Sequence, residues 1–83
     1  MNYVYLLKCK KVGGKIYYIG SSGDLRKRFN QHVKGEVKTT KNRNPELIYY
    51  EAFNDKYLAL ERETGLKSSG SVYNALLRRL KLK

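Results

Sequence analysis

The stretch from residue 18 to residue 32 limits the possible folds most, because it joins a strand end, a turn and a basic helix. Residues 17–19, Tyr-Tyr-Ile, are aromatic and β-branched, which is typical of a strand. Residues 20–23, Gly-Ser-Ser-Gly, are small turn formers. Ser22 or Asp24 can then cap a helix through a side-chain oxygen. The sequence therefore predicts a strand that turns sharply into a helix, so that the two pack together.

The predicted helix carries an apolar stripe made of Leu25, Phe29 and Val33. Arg28 and His32 are one helical turn apart, so they are neighbours on the helix surface, beside that stripe. A helix that packs on a sheet through this stripe places a guanidinium and an imidazole at the edge of the sheet. We expect both groups to lie near Tyr18 of the preceding strand.

The whole chain predicts an α/β sandwich, in which a three-stranded antiparallel sheet is flanked by helices in the order β-β-α-connector-β-α-α. The first two strands form a hairpin through Gly13-Gly14, which can bring Tyr5 and Tyr18 near each other on one surface. The third strand is almost continuously apolar, so we expect it to be central and covered on both faces. The predicted segments are strands over 2–9, 15–20 and 47–53, helices over 23–34, from 54–55 onward and over 72–80, a connector over 36–45 and a break over 67–71.

Together these residues resemble the signature of the GIY-YIG nuclease superfamily. Tyr3 stands where the family has its first glycine, and Gly20 permits the sharp exit from the strand. The resemblance covers nearly the whole chain and implies one nuclease domain over residues 1–83. The matching residues are Tyr3-Val4-Tyr5, Tyr18-Ile19-Gly20, Leu25-x-x-Arg28, His32 and, in a later helix, Glu63.

The resemblance implies a role for each polar residue of the signature. Glu63 holds a divalent cation, Mg²⁺, with Mn²⁺ as a substitute, and Arg28 binds the scissile phosphate. Tyr5 or Tyr18 is the general base or positions the attacking water, and the choice between them stays open. His32 assists proton transfer or binds phosphate.

The acidic residues restrict the kind of metal chemistry. The chain has only 7 Asp and Glu residues, and they show no Asp-x-Asp or similar close set that we expect to point inward. Two-metal sites need several clustered carboxylates, so the sequence disfavours a two-metal nuclease. A single carboxylate, with water completing an octahedron around Mg²⁺, fits the residues that are available.

The net charge indicates the class of partner. Lys and Arg number 18 against 7 Asp and Glu, which gives +11 on 83 residues and favours a polyanion such as DNA or RNA. A membrane is disfavoured, because we find no amphipathic helix whose apolar face is bulky enough for a membrane surface, and no lipidation motif. The single cysteine excludes an internal disulfide, which indicates a reducing compartment. No apolar run approaches the ~20 residues that span a bilayer, so we expect a soluble cytoplasmic protein. The residues expected to contact nucleic acid are Arg26, Lys27, Lys38, Lys41, Arg43, Lys67 and, by resemblance, Asn74.

The favoured function is a Mg²⁺-dependent endonuclease of DNA, with branched, flapped or damaged forms as candidate substrates. One alternative is a non-catalytic nucleic-acid-binding module of the same fold. A pure binder has no need for Glu63, since a carboxylate repels phosphate unless a cation lies between them. A further alternative is a catalytic module that a partner protein directs to its target, because the sequence shows no target-recognition domain.

Overall fold

The computed structural model describes residues 1–83 and confirms the α/β class, with three antiparallel strands in one sheet and three helices. The elements follow in the predicted order, and the connector contains one 3₁₀ turn. The strands are β1 Asn2–Lys11, β2 Gly14–Ser22 and β3 Glu46–Phe53; the helices are α1 Leu25–Val33, α2 Lys56–Ser68 and α3 Gly70–Arg79; the 3₁₀ turn is Lys38–Thr40.

The central strand of the sheet is β1, since the strand order is β2-β1-β3. The prediction that the third strand is central was therefore wrong. Residues 4–7 of β1 are all buried, which requires cover on both faces of the sheet. In β3, by contrast, Tyr50 is 53% exposed and Ala52 is exposed. Tyrosines make β3 look apolar, but their hydroxyl ends suit a partly solvated edge strand.

The two faces of the sheet bury different clusters, because successive strand residues point to opposite sides. Helices α2 and α3 cover the face that carries Val4, Leu6 and Ile19. Helix α1 covers the other face, which carries Tyr5 and Leu7. The α2–α3 side contributes Ala59, Leu66, Leu76 and Leu77, and the α1 side contributes Leu25 and Phe29.

Helix α1 begins and ends with ordinary capping chemistry. The Asp24 side chain accepts a hydrogen bond from the backbone N–H of Lys27 at 3.0 Å, so Asp24, not Ser22, caps the helix. Ser22 instead bonds the backbone of Asp24 and supports the turn. Gly35 follows the helix with a φ of 77°, a conformation that glycine adopts without strain.

The buried stripe of α1 differs from the predicted one. Val33 is 57% exposed, whereas His32 is 1% exposed. Leu25, Phe29 and His32 are spaced i, i+4, i+7, which keeps all three on one helix face. Assigning Val33 to the apolar side was therefore wrong, because a polar imidazole takes the last position of the stripe.

Helices α2 and α3 are almost continuous. Asp55 caps α2 by accepting a hydrogen bond from the backbone N–H of Tyr57 at 2.7 Å. Only Ser69 separates the two helices, so the predicted break over 67–71 is much shorter than expected. None of the helices is both long and apolar enough to cross a membrane.

The connector between α1 and β3 is held against the sheet. The backbone N–H of Lys10 donates a hydrogen bond to the carbonyl of Arg43 at 2.6 Å. Val37 and Thr40 are buried, while Lys38 and Lys41 are exposed. The connector therefore presents a basic outer surface and directs one threonine inward.

Candidate active site

A chain of three buried side chains links β1, α1 and the connector. The Tyr5 hydroxyl forms a 2.9 Å hydrogen bond with Nε2 of His32. Nδ1 of His32 forms a 2.7 Å hydrogen bond with Oγ1 of Thr40. Tyr5, His32 and Thr40 are 2%, 1% and 1% exposed. Both ring nitrogens of His32 therefore have partners inside the protein.

Two tyrosine rings surround the imidazole. The ring centroids of Tyr5 and Tyr18 lie 5.6 and 5.4 Å from that of His32, and both rings meet it edge-on. The strand register pairs Tyr5 with Gly20 and Leu7 with Tyr18, which places both tyrosines on the face that α1 covers. The hairpin therefore brings the two phenols to one histidine.

Gly20 makes room for the Tyr5 ring. A Cβ atom added at Gly20 would overlap the Tyr5 hydroxyl and lie 2.9 Å from Cε2 of its ring. Real Cβ atoms do not approach other atoms so closely, and the obstacle is a buried ring. A glycine at this position thus allows Tyr5 to lie close over β2 and reach His32.

Arg28 supplies a positive charge beside Tyr5 and His32. It is half-buried, and its Nη1 donates a hydrogen bond to Oε1 of Gln31 at 3.1 Å. Burial raises the pKa of Tyr5, and the nearby Arg28 guanidinium opposes that rise. Burial and the same guanidinium lower the pKa of His32 below its ordinary value of 6.5. His32 is therefore a neutral imidazole at pH 7.

Glu63 of α2 has a polar partner at each carboxylate oxygen. The Ser21 hydroxyl donates a 2.6 Å hydrogen bond to Oε1, and Nζ of Lys67 donates one of 2.9 Å to Oε2. Burial raises the pKa of Glu63, but the hydrogen bonds from Ser21 and Lys67 outweigh it and leave the pKa below 4.5. Glu63 is therefore an ionised carboxylate at pH 7.

The two groups of side chains meet around the open edge of β2. Ser21 pairs with Val4 in the register, so it lies on the face covered by α2 and α3, opposite Tyr18. Lys67 connects the two faces, since its Nζ lies 5.8 Å from the centroid of the Tyr18 ring. We call this edge the candidate active site. It consists of Tyr5, Tyr18, Ser21, Arg28, His32, Thr40, Glu63 and Lys67.

Glu63 could hold a metal ion only with few ligands from the protein. No group of three or more His, Cys, Asp and Glu side chains converges to bind a metal. The Glu63 carboxylate is ionised and already holds one cationic group, the ammonium of Lys67, whose side chain is 50% exposed. Mg²⁺ commonly uses one or two carboxylates and retains water ligands, so this carboxylate fits it.

The predicted nucleic-acid contacts lie in three places. Five of these residues are exposed on α1 and the connector, whereas Lys67 belongs to the candidate active site. Asn74 is half-buried on α3, and its side-chain oxygen accepts a hydrogen bond from Nζ of Lys83 at 2.6 Å. The exposed five are Arg26, Lys27, Lys38, Lys41 and Arg43.

Tyr3, the altered signature position, packs edge-on against Tyr50, with 5.9 Å between the ring centroids.

Two residues of the candidate active site were not predicted from the sequence. Ser21 directly follows the Tyr-Ile-Gly segment, and a small hydroxyl residue at that position was the available signal. Thr40 lies in a connector whose conformation the sequence left open, and no local pattern marks it. Both residues act through contacts with side chains that are distant in the sequence.

Comparisons with known proteins find a family model and several relatives that match the chain. The model of the GIY-YIG catalytic domain matches residues 1–74. A UPF0213 protein of Clostridium perfringens is 42% identical over 69 residues, which cover 81% of this chain and 71% of the relative. A UPF0213 protein of Staphylococcus saprophyticus is 41% identical and one of Haloquadratum walsbyi 35% identical, each over 81% of this chain, with 80% and 74% of the relative covered. No solved structure matches the chain.

Proposed function

Because the chain belongs to the GIY-YIG catalytic domain family, we propose that it is a divalent-metal-dependent endonuclease that hydrolyses DNA phosphodiester bonds with one metal ion. One observation carries this proposal. The β2 edge gathers a tyrosine bonded to a neutral histidine, a half-buried arginine and an ionised glutamate. These groups can serve as a proton acceptor, a phosphate ligand and a metal ligand, the three parts that metal-assisted hydrolysis of a phosphodiester uses.

The proton path runs through Tyr5 in this proposal. The raised pKa of Tyr5 disfavours a free phenolate, so the phenol needs an acceptor for its own proton. Nε2 of His32, at 2.9 Å, is that acceptor. As water attacks phosphorus and the P–O bond to the leaving oxygen breaks, one water proton moves to the Tyr5 oxygen and the Tyr5 proton moves to His32. The remaining O–H stays on the phosphate product, and the leaving oxygen takes a proton from solvent. This favours Tyr5 as the general base over Tyr18, which positions the water.

In this proposal, Arg28 binds the negatively charged phosphate and Glu63 binds the metal ion. The guanidinium of Arg28 is a planar, permanently charged fork that suits two phosphate oxygens. Glu63 would hold Mg²⁺, with Mn²⁺ as a substitute, and the ion when bound supplies electrostatic stabilisation of the phosphate and the leaving oxygen. Ser21 keeps the Glu63 carboxylate oriented through its 2.6 Å hydrogen bond.

The basic surface supports DNA as the substrate. Arg26 and Lys27 are exposed on α1 beside Arg28, and Lys38 and Lys41 are exposed on the connector. With a net charge of +11, such a surface attracts the phosphate backbone whatever its sequence. Branched, flapped and damaged DNA are the forms to test, because backbone binding of this kind reads shape rather than bases.

The test is cleavage by wild-type protein and by Glu63→Gln, on linear, nicked, flapped and branched DNA with Mg²⁺ or with chelator. Glu63→Gln keeps the size of the side chain but removes the charge that would hold the cation, so cleavage should fall by orders of magnitude. Glu61→Gln is the matched control, since Glu61 is exposed on the same helix. A Glu63→Gln protein that cuts like wild type would overturn the metal-ligand assignment. Binding without any cleavage by the wild type would favour the non-catalytic module.

A further inference from the structure

We infer that Thr40 is a positioning residue of the candidate active site: its hydroxyl oxygen accepts the Nδ1–H of His32 and thereby leaves Nε2 free to take the Tyr5 proton. This inference rests on the proposed function, because it assigns the residue that prepares His32 for proton transfer. The Thr40 side chain forms a hydrogen bond with His32 and none with the proposed metal ligand or phosphate ligand. It acts only through the imidazole.

The geometry leaves two possible arrangements of hydrogens. A neutral imidazole has one N–H donor and one acceptor nitrogen. Nδ1 meets Thr40 at 2.7 Å and Nε2 meets Tyr5 at 2.9 Å, and all three side chains are buried. The direction of one hydrogen bond therefore fixes the direction of the other. Only the arrangement with the hydrogen on Nδ1 lets Nε2 accept a proton from Tyr5.

The chemistry of the two hydroxyls selects that arrangement. A phenol is a stronger donor and a weaker acceptor than an aliphatic hydroxyl, because its oxygen lone pair is delocalised into the ring. Tyr5 is therefore the better donor to Nε2, and Thr40 the better acceptor from Nδ1. The same arrangement suits the protonated imidazole, since Nδ1–H still points at Thr40 after Nε2 has taken a proton.

A neutral partner at Nδ1 has a specific consequence. The groups that face the imidazole are Tyr5 of β1, Tyr18 of β2, Arg28 of α1 and Thr40 of the connector, and none is a carboxylate. Histidines that work with an anionic partner gain basicity from it. Thr40 instead orients the ring and fixes its tautomer, and His32 is neutral until it takes the Tyr5 proton.

The connector holds Thr40 in place through its backbone. The N–H of Thr40 donates to the carbonyl of Val37 at 3.2 Å, and the N–H of Arg43 donates to the carbonyl of Thr40 at 3.1 Å. Arg43 is itself bonded through its carbonyl to Lys10 of β1. The 3₁₀ turn thus carries Thr40 inward on a support fixed to the central strand. In this inference the connector supports proton transfer through Thr40, in addition to presenting an exposed basic surface.

The test uses the only histidine of the chain, which gives a single pair of ring-nitrogen signals in the full-length protein labelled with ¹⁵N-histidine. Above pH 6.5, the wild type should show a protonated Nδ1 and an unprotonated Nε2. Thr40→Val keeps the shape but removes the acceptor, so the ring should become a mixture of tautomers. Thr40→Ser should restore the wild-type signals. Thr39→Val, at the exposed neighbouring position, is the matched control.

Kinetics provide the second readout. Thr40→Val should lower kcat by roughly 10–100-fold, the size of the effect seen when the group that orients a metal-ligating histidine is removed, and leave KM nearly unchanged. Thr40→Ser should recover most of that loss. A wild-type imidazole protonated on Nε2, or a Thr40→Val protein with the wild-type tautomer and rate, would overturn the inference.

The two proposals can fail separately, because the tautomer is measured without DNA or metal. A protein with the expected tautomer that cleaves nothing contradicts the proposed function, not the hydrogen-bond assignment. A nuclease that depends on Glu63 but carries its hydrogen on Nε2 contradicts the role of Thr40 alone. If Thr40→Val does not fold, the wild-type tautomer and Thr40→Ser still decide the question.

Discussion

The hydroxyl of Ser21 donates a 2.6 Å hydrogen bond to Oε1 of Glu63, across 42 residues of sequence. It joins the end of β2, just after the Tyr-Ile-Gly segment, to the middle of α2. Lys67 is bonded to the other carboxylate oxygen at 2.9 Å. The carboxylate is therefore held between a neutral donor from the sheet and a half-exposed ammonium group from its own helix.

Ser21→Ala should impair the site without unfolding it. Loss of the donor raises the pKa of Glu63, since the Ser21 hydrogen bond is one of the interactions that keep it low. We expect about a tenfold loss of cleavage, in line with removal of one hydrogen bond to a charged group. An NMR titration of the Glu63 carboxyl and single-turnover cleavage measure the two effects. Ser22→Ala is the control, because its hydroxyl bonds only the backbone of Asp24.

Arg28→Ala should reduce turnover far more than Arg26→Ala. Arg28 is half-buried beside Tyr5 and His32, whereas Arg26 is exposed on the outer side of α1. Removing a preorganised donor from a developing negative charge typically costs about 10²–10³ in kcat. Cleavage rates at saturating DNA measure the difference. Equal rates for the two variants would show that Arg28 does not contact the reacting phosphate.

Gly20→Ala should destabilise the fold and weaken cleavage. The new methyl group would overlap the buried Tyr5 ring, and overpacking of this kind costs about 1–3 kcal/mol. Gly65→Ala is the matched control, because nothing lies within 4 Å of its added Cβ and the residue is inside α2. That control should be stabilising by up to about 1 kcal/mol, from helix propensity. Urea denaturation of both variants measures the free energies of unfolding.

Local sequence patterns predicted the helices and strands. They did not predict which strand is central or which side chains of α1 are buried, because tertiary packing determines both. The hairpin, the capped helix α1 and the helices after β3 follow from turn residues, caps and apolar spacing, and the structure confirms their order. The position of β3 was wrong because tyrosine content does not distinguish a central strand from an edge strand. His32, not Val33, occupies the last buried position of α1. Apolar spacing alone did not predict this, because it does not show that a polar ring has buried partners.

The candidate site was predictable only where it rests on the family signature. Tyr5, Tyr18, Arg28 and His32 come together because one hairpin and the helix after it carry them all. Thr40 could not be found in the same way, since its contact depends on how the connector folds back over α1.

Stability should decrease when the pH falls below 6.5. Burial and Arg28 hold the pKa of His32 below that value in the folded protein, so the unfolded chain takes up a proton first. The loss begins near pH 6.5, is complete below the folded pKa, and amounts to about 1.4 kcal/mol for each unit by which the pKa is lowered. Glu51 and Glu63, whose pKa values are also lowered, add a separate loss only as the pH falls from 4.5. Urea denaturation above and below pH 6.5 measures the change in the free energy of unfolding, and the ¹⁵N titration of His32 measures its pKa. A stability that stays constant through that range would contradict a buried neutral His32.

DNA binding should weaken steeply with salt, because the exposed connector and α1 contribute lysines and arginines whose phosphate contacts release counterions. A plot of log affinity against log salt should be linear, with a slope of about −0.9 for each phosphate neutralised on duplex DNA. Lys38→Ala and Lys41→Ala, both exposed on the connector, should each make the slope shallower by roughly 0.9 if each contacts one phosphate. Lys8→Ala is the control, since Lys8 is exposed on the sheet face away from α1 and should leave the slope unchanged. Affinity that does not depend on salt, or a Lys8→Ala protein that loses as much as the connector variants, would show that DNA does not bind across this surface.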